Sequence, residues 1–313
     1  MALTPSPAVV RAGDVLAHLA AHPMRAFTVT ELARHVGIPR ATCDSLLLGL
    51  SVRGYVRRDA DLRYTLGPAC MALGDAARAG NPALRAGAGH AESLARAHSC
   101  VVAVTVRDGA QTRVASVFDF GPPFGIRPRA GDAIALVPPF GASFVAWDTD
   151  AKIAQWLDRA DPPLTDPERA RYEAALNAVR RRGYSITVAS GRQPQLAAAL
   201  ERLLESDSSD SAEETAEENR RLRDEAIRDL THSEYLASEL DPQTTTRLTQ
   251  VSAPVFAPSG SAEHVAASIM LLGPAHDVES SVITALGELV LAAARRTTDD
   301  IGGQPRRPAV GIG

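Results

Sequence analysis

The chain has 313 residues, a formal net charge of −4 at pH 7, 45% hydrophobic and 22% charged residues, an ordinary soluble globular composition with room for about two domains. Its three cysteines, Cys43, Cys70 and Cys100, have no CxxC spacing and exclude a disulfide framework and a cysteine-based zinc site. No stretch approaches the roughly 18 uncharged apolar residues of a membrane span, and the first thirty lack a basic head followed by an apolar core, so a cytoplasmic protein with reduced thiols is expected.

The charge is split along the chain. Residues 1–68 carry eight Arg against five acids, a balance of +3, whereas residues 201–229 carry eleven acids against five Arg, a balance of −6. Within the basic head, Val9, Val10, Val15, Leu16 and Leu19 recur at helical spacing and stop at His22-Pro23, where proline bars its predecessor from a helix. Thr28 and Glu31 are spaced as a capping box for a second helix carrying Leu32 and Val36, which Gly37 closes. Pro39 opens a third helix with Cys43, Leu46, Leu47 and Leu50 inward and Arg40, Ala41, Thr42, Asp44 and Ser45 outward. Tyr55-Val56 and Arg63-Tyr64-Thr65-Leu66 are β-prone runs around Asp59-Ala60-Asp61, a hairpin pattern.

Three helices and a hairpin form a winged helix-turn-helix plan. Residues 9–74 resemble the DNA-binding head of the IclR family of bacterial transcription regulators, through Thr30-Glu31-Leu32-Ala33-Arg34, Gly37-Ile38-Pro39-Arg40-Ala41-Thr42, Arg53-Gly54-Tyr55-Val56 and Arg63-Tyr64-Thr65-Leu66-Gly67-Pro68. The resemblance implies operator DNA as partner, read by the third helix in the major groove with the wing on phosphate. The expected DNA-binding residues are Thr28, Arg40, Ala41, Thr42, Asp44, Ser45, Arg57, Arg58 and Arg63. Relatives usually carry a histidine or similar residue followed by arginine where this chain has Asp44-Ser45, and often another basic residue where it has Leu48. That exchange lowers generic phosphate affinity, so the operator sequence does not transfer from relatives. Cys43 lies on the apolar stripe and is expected in the core.

Beyond the head, residues 68–79 and 81–97 have helical patterns, the second capped by Asn81 with Pro82 at its first position. Residues 101–106 and 112–118 form two strands about Asp108-Gly109, followed by a loop rich in Gly and Pro over 121–132. Helices over 150–159 and 166–182 lead into a strand entered at Gly183-Tyr184-Ser185-Ile186-Thr187-Val188. Strands over 251–256 and 265–272 and a helix over 278–296 complete the pattern. The fold class is α+β, a winged helix-turn-helix joined by a linker helix to an antiparallel-sheet domain. The resemblance continues through Arg181-Arg182-Gly183-Tyr184, Ser252-Ala253-Pro254-Val255-Phe256 and Gly273, and implies a GAF-like effector-binding domain. The expected division is a head over 1–67, a linker over 68–80, an effector domain over 81–300 and a disordered tail over 301–313. A helical acidic insertion at about 191–245 replaces the short connection of most relatives. It is expected to form a surface hairpin with a polar tip, or else a dimerisation or pocket-capping element.

Many relatives place His-Ala-Thr-Ala-x-Gly-Lys at a helix start, where hydroxyl and N–H groups hold a small carboxylate. The corresponding residues here are Leu136-Val137-Pro138-Pro139-Phe140-Gly141-Ala142, and only the glycine survives. The expected effector-binding residues are Pro138, Phe140, Gly141, Ser143, Phe144, Ser252 and Met270, a set suited to a larger apolar ligand. The alternatives are a sensor that binds nothing and a small acid held differently. No HExxH, GxSxG or P-loop is present, and His98 and Cys100 lack a third orienting group. The resulting expectation is a dimeric or tetrameric regulator, a repressor in the first instance, with a small-molecule effector, no cofactor, no metal and no membrane. Its rivals are an interaction protein with a degenerate sensor and a ligand-processing enzyme fused to a DNA-binding head.

Overall fold

The computed structural model describes residues 4–122, 127–188, 234–235, 245–274 and 276–305, in two compact units, Met1–Gly80 and Asn81–Gly313. In the first unit, α1 (Pro7–Ala21) ends at His22, before Pro23. Strand β1 (Phe27–Thr28) runs into α2 (Val29–Val36), whose Thr28–Glu31 capping box has both halves formed and whose end is a left-handed Gly37. Pro39 precedes α3 (Arg40–Val52). The hairpin is β2 (Val56–Arg58) and β3 (Arg63–Leu66), and β1 joins it in an antiparallel order β1-β3-β2. At two residues, β1 is too short to show alternation, which is why no sequence pattern marks it. Val15, Leu19, Leu32, Cys43, Leu47, Val56 and Tyr64 form one core, so the three helices and the wing hold each other by burial. Helix α4 (Ala69–Ala79) has no buried residue. Its start is tied to the hairpin by Ala69 N–H to Gly54 O at 3.1 Å and Cys70 Sγ to Tyr55 O at 3.2 Å.

The second unit opens with α5 (Pro82–His98), capped by the Asn81 side chain accepting from Leu84 N–H. In chain order follow β4 (Val101–Asp108), β5 (Gln111–Asp119), β6 (Ala133–Ala135), α6 (Ala142–Val145), α7 (Asp150–Leu157), α8 (Asp166–Arg182) and β7 (Ser185–Val188). Then come β8 (Glu234–Tyr235), β9 (Thr245–Thr246), β10 (Leu248–Phe256), β11 (Val265–Leu272), β12 (Val278–Glu279) and α9 (Ser280–Asp300). A seven-stranded sheet has the order β6-β5-β4-β11-β10-β7-β8, and every neighbouring pair is antiparallel. Its α5/α9 face buries Val102 and Val104, Val251, Ala253 and Val255, Ala267, Ile269 and Leu271, and Ile186 and Val188, against Ala91, Leu94, Ile283, Val290 and Ala294. A smaller core of Leu136, Ala142, Val145, Ile153, Trp156, Leu176 and Val179 binds α6, α7 and α8 together.

Several boundaries differ from the sequence patterns. Val278–Glu279 pair with β9 before α9 begins, and α9 continues to Asp300, where its last turn buries Thr297 and Thr298 and Thr298 Oγ1 accepts from Phe256 N–H at 3.0 Å. Helix α7 ends at Leu157 rather than residue 159, and β10 starts earlier, at Leu248, where it pairs with β7. The helix expected within the acidic insertion does not run through Glu234–Tyr235, which add a strand to β7; the rest of that expectation lies outside the described residues. Of the tail expected to be disordered, Gly303 bridges Pro258 and Gln304 N–H donates to Ala257 O at 3.2 Å. Residues 306–313 lie outside the described set.

A Cβ on Gly287 would sit 2.2 Å from Cε2 of Tyr184, whose ring is 2% exposed. Alanine is preferred over glycine in a helix by roughly 1 kcal/mol, but overpacking a rigid core costs about 1–3 kcal/mol. Gly287→Ala is therefore expected to lower the thermal midpoint of the second unit in calorimetry, with the steric cost exceeding the helix gain.

Candidate functional site

Two places carry chemistry, one in each unit. In the head, the burial of Cys43 and Leu47 turns Ala41, Asp44, Ser45, Leu48 and Val52 of α3 to solvent. Arg40 is exposed and its Nε lies 3.9 Å from Asp44 Oδ2, an exposed pair that leaves the guanidinium available. Thr42 is half-buried at the edge of the helix, and Arg57 and Arg58 are exposed on the hairpin, with the Arg58 guanidinium 5.7 Å from the Tyr64 ring centre.

Two members of the expected set have structural duties. Thr28 Oγ1 donates to Glu31 Oε2 at 2.8 Å and accepts from Glu31 N–H at 3.3 Å, while Thr28 N–H donates to Glu31 Oε2 at 2.7 Å. Arg63 donates to Ala26 O at 3.2 Å and lies 3.9 Å from Glu31 Oε2. The Thr28 backbone N–H, followed by the Thr28 hydroxyl and Arg25, holds the Glu31 carboxyl below its ordinary value against the opposing effect of burial. Cys43 is fully buried and burial pushes its thiol up, with the Asp44 charge adding to the effect, as a core residue requires.

A histidine cluster in this unit went unread in the sequence. The His18 ring centre lies 3.7 Å from that of His35 and 4.5 Å from that of His22, with Phe27 edge-on at 4.7 Å. His18 lies in α1 and His22 is its C-cap four residues on, and that spacing is the signal that could have found them. Among the described residues, no group of three or more His, Cys, Asp or Glu is placed to hold a metal ion.

In the second unit, the sheet face opposite α5 and α9 carries a row of paired positions, Ser185–Ser252–Met270–Ala103. Beside it runs Pro254–Ser268–Thr105. Ser185 Oγ lies 2.7 Å from Ser252 Oγ, and Ser268 Oγ lies 3.0 Å from Ser143 Oγ and 3.1 Å from Ala253 O, which accepts. Ser143, Ser252 and Met270 of the expected effector set thus meet at one face, with Met270 packed on Ala103 and Val114. Among the described residues, Arg107 Nε, Trp147 Nε1 and Thr187 Oγ1 are buried without a hydrogen-bond partner. Nearby in sequence, Asp148 accepts from Arg107 at 2.6 Å, both side chains being about nine-tenths buried, and Lys152 stands 3.8 Å away.

Pro138, Phe140 and Gly141 instead build the turn into α6. Gly141 has φ +85°, and a Cβ there would fall 2.1 Å from Leu136 Cδ1, so a side chain at this position would meet both an unfavourable backbone angle and the buried Leu136. Phe140 O accepts from Trp156 Nε1 at 3.0 Å, and Phe144 is buried. Helix α6 is a single turn, too short for a helix-start anion site. Ser185, Ser268, Thr187 and the Arg107–Asp148 pair were missed because only strand register brings them together. A cleft of about 280 Å³ between α7 and α8, lined by Asp150, Ile153, Leu157, Glu173, Asn177 and Arg180 among others, includes none of the expected effector residues. Burial pushes the Cys100 thiol up to about 11, the direction opposite to that of an activated cysteine.

Residues 8–60 match the family model of the IclR helix-turn-helix domain. No curated protein matches the chain. Among solved structures, an IclR transcriptional regulator from Alicyclobacillus acidocaldarius is similar at 19% identity and TM-score 0.63, over 96% of this chain and 100% of that one. Pseudomonas aeruginosa HmgR is similar at 20% identity and TM-score 0.61, over 95% and 100%. An IclR homologue from Microbacterium hydrocarbonoxydans complexed with 4-hydroxybenzoate is similar at 15% identity and TM-score 0.60, over 94% and 98%. At these identities the likeness establishes the shared fold. No helix among the described residues is long and apolar enough to cross a membrane.

The lowered Glu31 carboxyl makes the head's stability depend on pH. A group held below its unfolded value adds stability that is present above that value, 4.5, and is lost as pH falls through the folded one. Amide protection of α2 is expected to decline on acidification below that point, and Glu31→Gln to lower protection near neutrality and flatten the decline.

Proposed function

Starting from an IclR-type helix-turn-helix head on a chain with the fold of IclR regulators, we propose a cytoplasmic transcriptional repressor that binds operator DNA and is controlled by a small molecule held in the second unit. The observation that carries this reading is α3, a helix fixed to the core by Cys43 and Leu47 whose opposite face is bare, beside a hairpin with Arg57 and Arg58 exposed. That is the geometry of a major-groove helix with a phosphate-tracking wing. The described part of the head is only modestly basic, so its affinity depends on two heads acting together on paired half-sites. A homodimer or tetramer is supported by α4, which has no fully buried residue and exposes Met71 and Leu73 at 71% and 55%.

The Ser143, Ser185, Ser252 and Ser268 hydroxyls beside Met270 support a ligand with an apolar body and at least one hydrogen-bonding group. The unpartnered Trp147 and Thr187 groups support the same reading, since a buried polar group gains most from a partner. The 4-hydroxybenzoate complex of a protein of this fold makes hydroxylated aromatic acids the first class to screen. A second reading, an effector-independent regulator or interaction protein, is favoured by one observation: the Ser185–Ser252 and Ser268–Ser143 pairs already satisfy each other.

Arg40→Ala is expected to weaken operator binding in a mobility-shift assay by about tenfold or more. Undiminished binding removes α3 from the role. In a thermal-shift screen, aromatic acids are expected to stabilise the protein and to release operator, and Ser252→Ala to reduce that stabilisation. A screen without any stabilising compound, alongside intact DNA binding, selects the second reading.

A further inference from the structure

The outward face of α3 has an apolar centre. At roughly 100° per residue, the buried Cys43 and Leu47 with the half-buried Leu46 and Leu50 define the inward direction. Directly opposite stand Ala41, Ser45, Leu48 and Val52, while Arg40, the only cation in the helix, lies at the margin with Asp44 as its partner at 3.9 Å. Leu48 and Val52 are 67% and 76% exposed. A single exposed leucine is unremarkable on a protein surface. Here it occupies the middle of the face that has to be desolvated when the helix enters a groove.

The base edges in the major groove present donors, acceptors and one apolar group, the C5-methyl of thymine. Phosphates line the rim of the groove, where Arg40, Arg57 and Arg58 can reach them. A leucine at the centre therefore gains from burial only against a thymine methyl, and against a cytosine or guanine edge it would strip water from polar groups without replacing it. The small Ala41 and Ser45 on the same face keep the helix backbone close enough for Leu48 to touch the base. We infer that Leu48 is a specificity-determining residue that packs on the C5-methyl of a thymine in each operator half-site. This rests on the reading of the head as a DNA-binding domain.

The test uses the full chain. Bound duplexes are selected from a randomised pool, and each thymine of the selected site is then replaced singly by deoxyuridine, which removes only the methyl. At one thymine per half-site the replacement is expected to weaken wild-type binding by about fourfold, the effect of one buried methyl. In Leu48→Ala, whose side chain is exposed and whose fold should be unaffected, the same replacement should change affinity by a factor near one. Leu48→Met should restore most of the difference. If every deoxyuridine operator binds wild type with full affinity, or if Leu48→Ala keeps the penalty, the inference is overturned while DNA binding stands. If no duplex is selected at all, the reading of the head fails and takes the inference with it.

Discussion

Along β11, Ala267, Ile269 and Leu271 enter the apolar layer shared with α5 and α9, and because side chains alternate across a strand, Ser268 and Met270 must take the opposite face. The same parity on β10 and β7 sends Ser252 and Ser185 there, and antiparallel pairing lines them up in one row. The position of the candidate ligand face is thus a consequence of packing the other side. A slip of one residue in the β10–β11 register would exchange the two faces, burying serines against α9 and leaving Ile269 on the polar row. Register is held tightly because the apolar face is deep: Val251, Ala253, Val255, Ala267 and Ile269 are all fully buried.

The polar row is costly to enclose and is stabilised by pairing. Each serine hydroxyl of the row finds a partner in another hydroxyl or a carbonyl, which removes the main penalty of burying it. The Arg107–Asp148 pair solves a larger problem in the same way, since either charge alone would be far more costly at that depth than the pair. A ligand entering such a face must outbid contacts the protein already makes with itself. It can shift the protein's behaviour only by the difference in its affinity for two arrangements, and the one-turn α6, linked to the sheet through Ser143 and Ser268, is an element through which such a difference could be felt.

The head solves a different problem with fewer residues. Its capping box, left-handed Gly37 and Pro39 fix where α2 stops and α3 starts, and a small core fixes which side of α3 faces outward. Glu31 joins the layers: it closes the cap, accepts from Arg25 and faces Arg63. One acidic residue therefore organises two cations of a basic domain, while Arg11, Arg34, Arg40, Arg53, Arg57 and Arg58 stay exposed. The chain's overall charge of −4 says little about this, because the sign that matters is local and lies on one surface.

Much of the fold was legible in the sequence. Helical periodicity located α1, α3, α5 and α8, the Thr28–Glu31 spacing located a cap that is formed in full, and alternating apolar runs located β4, β5 and β11 with their antiparallel partners. These features are local, decided by residues within a few positions of one another. The two-residue strands β1, β8, β9 and β12 were not legible, because their formation depends on a partner distant in the chain. The same holds for the site. Arg40, Ala41, Asp44 and Ser45 could be placed on an outward helical face from sequence alone, and so could Ser252 and Met270 on strands. That Thr28 and Arg63 are committed to Glu31, that Ser185 meets Ser252, and that Ser143 closes on Ser268 required the tertiary structure. Hydrogen bonds between residues as far apart as 143 and 268 follow from register and packing, which no local pattern encodes.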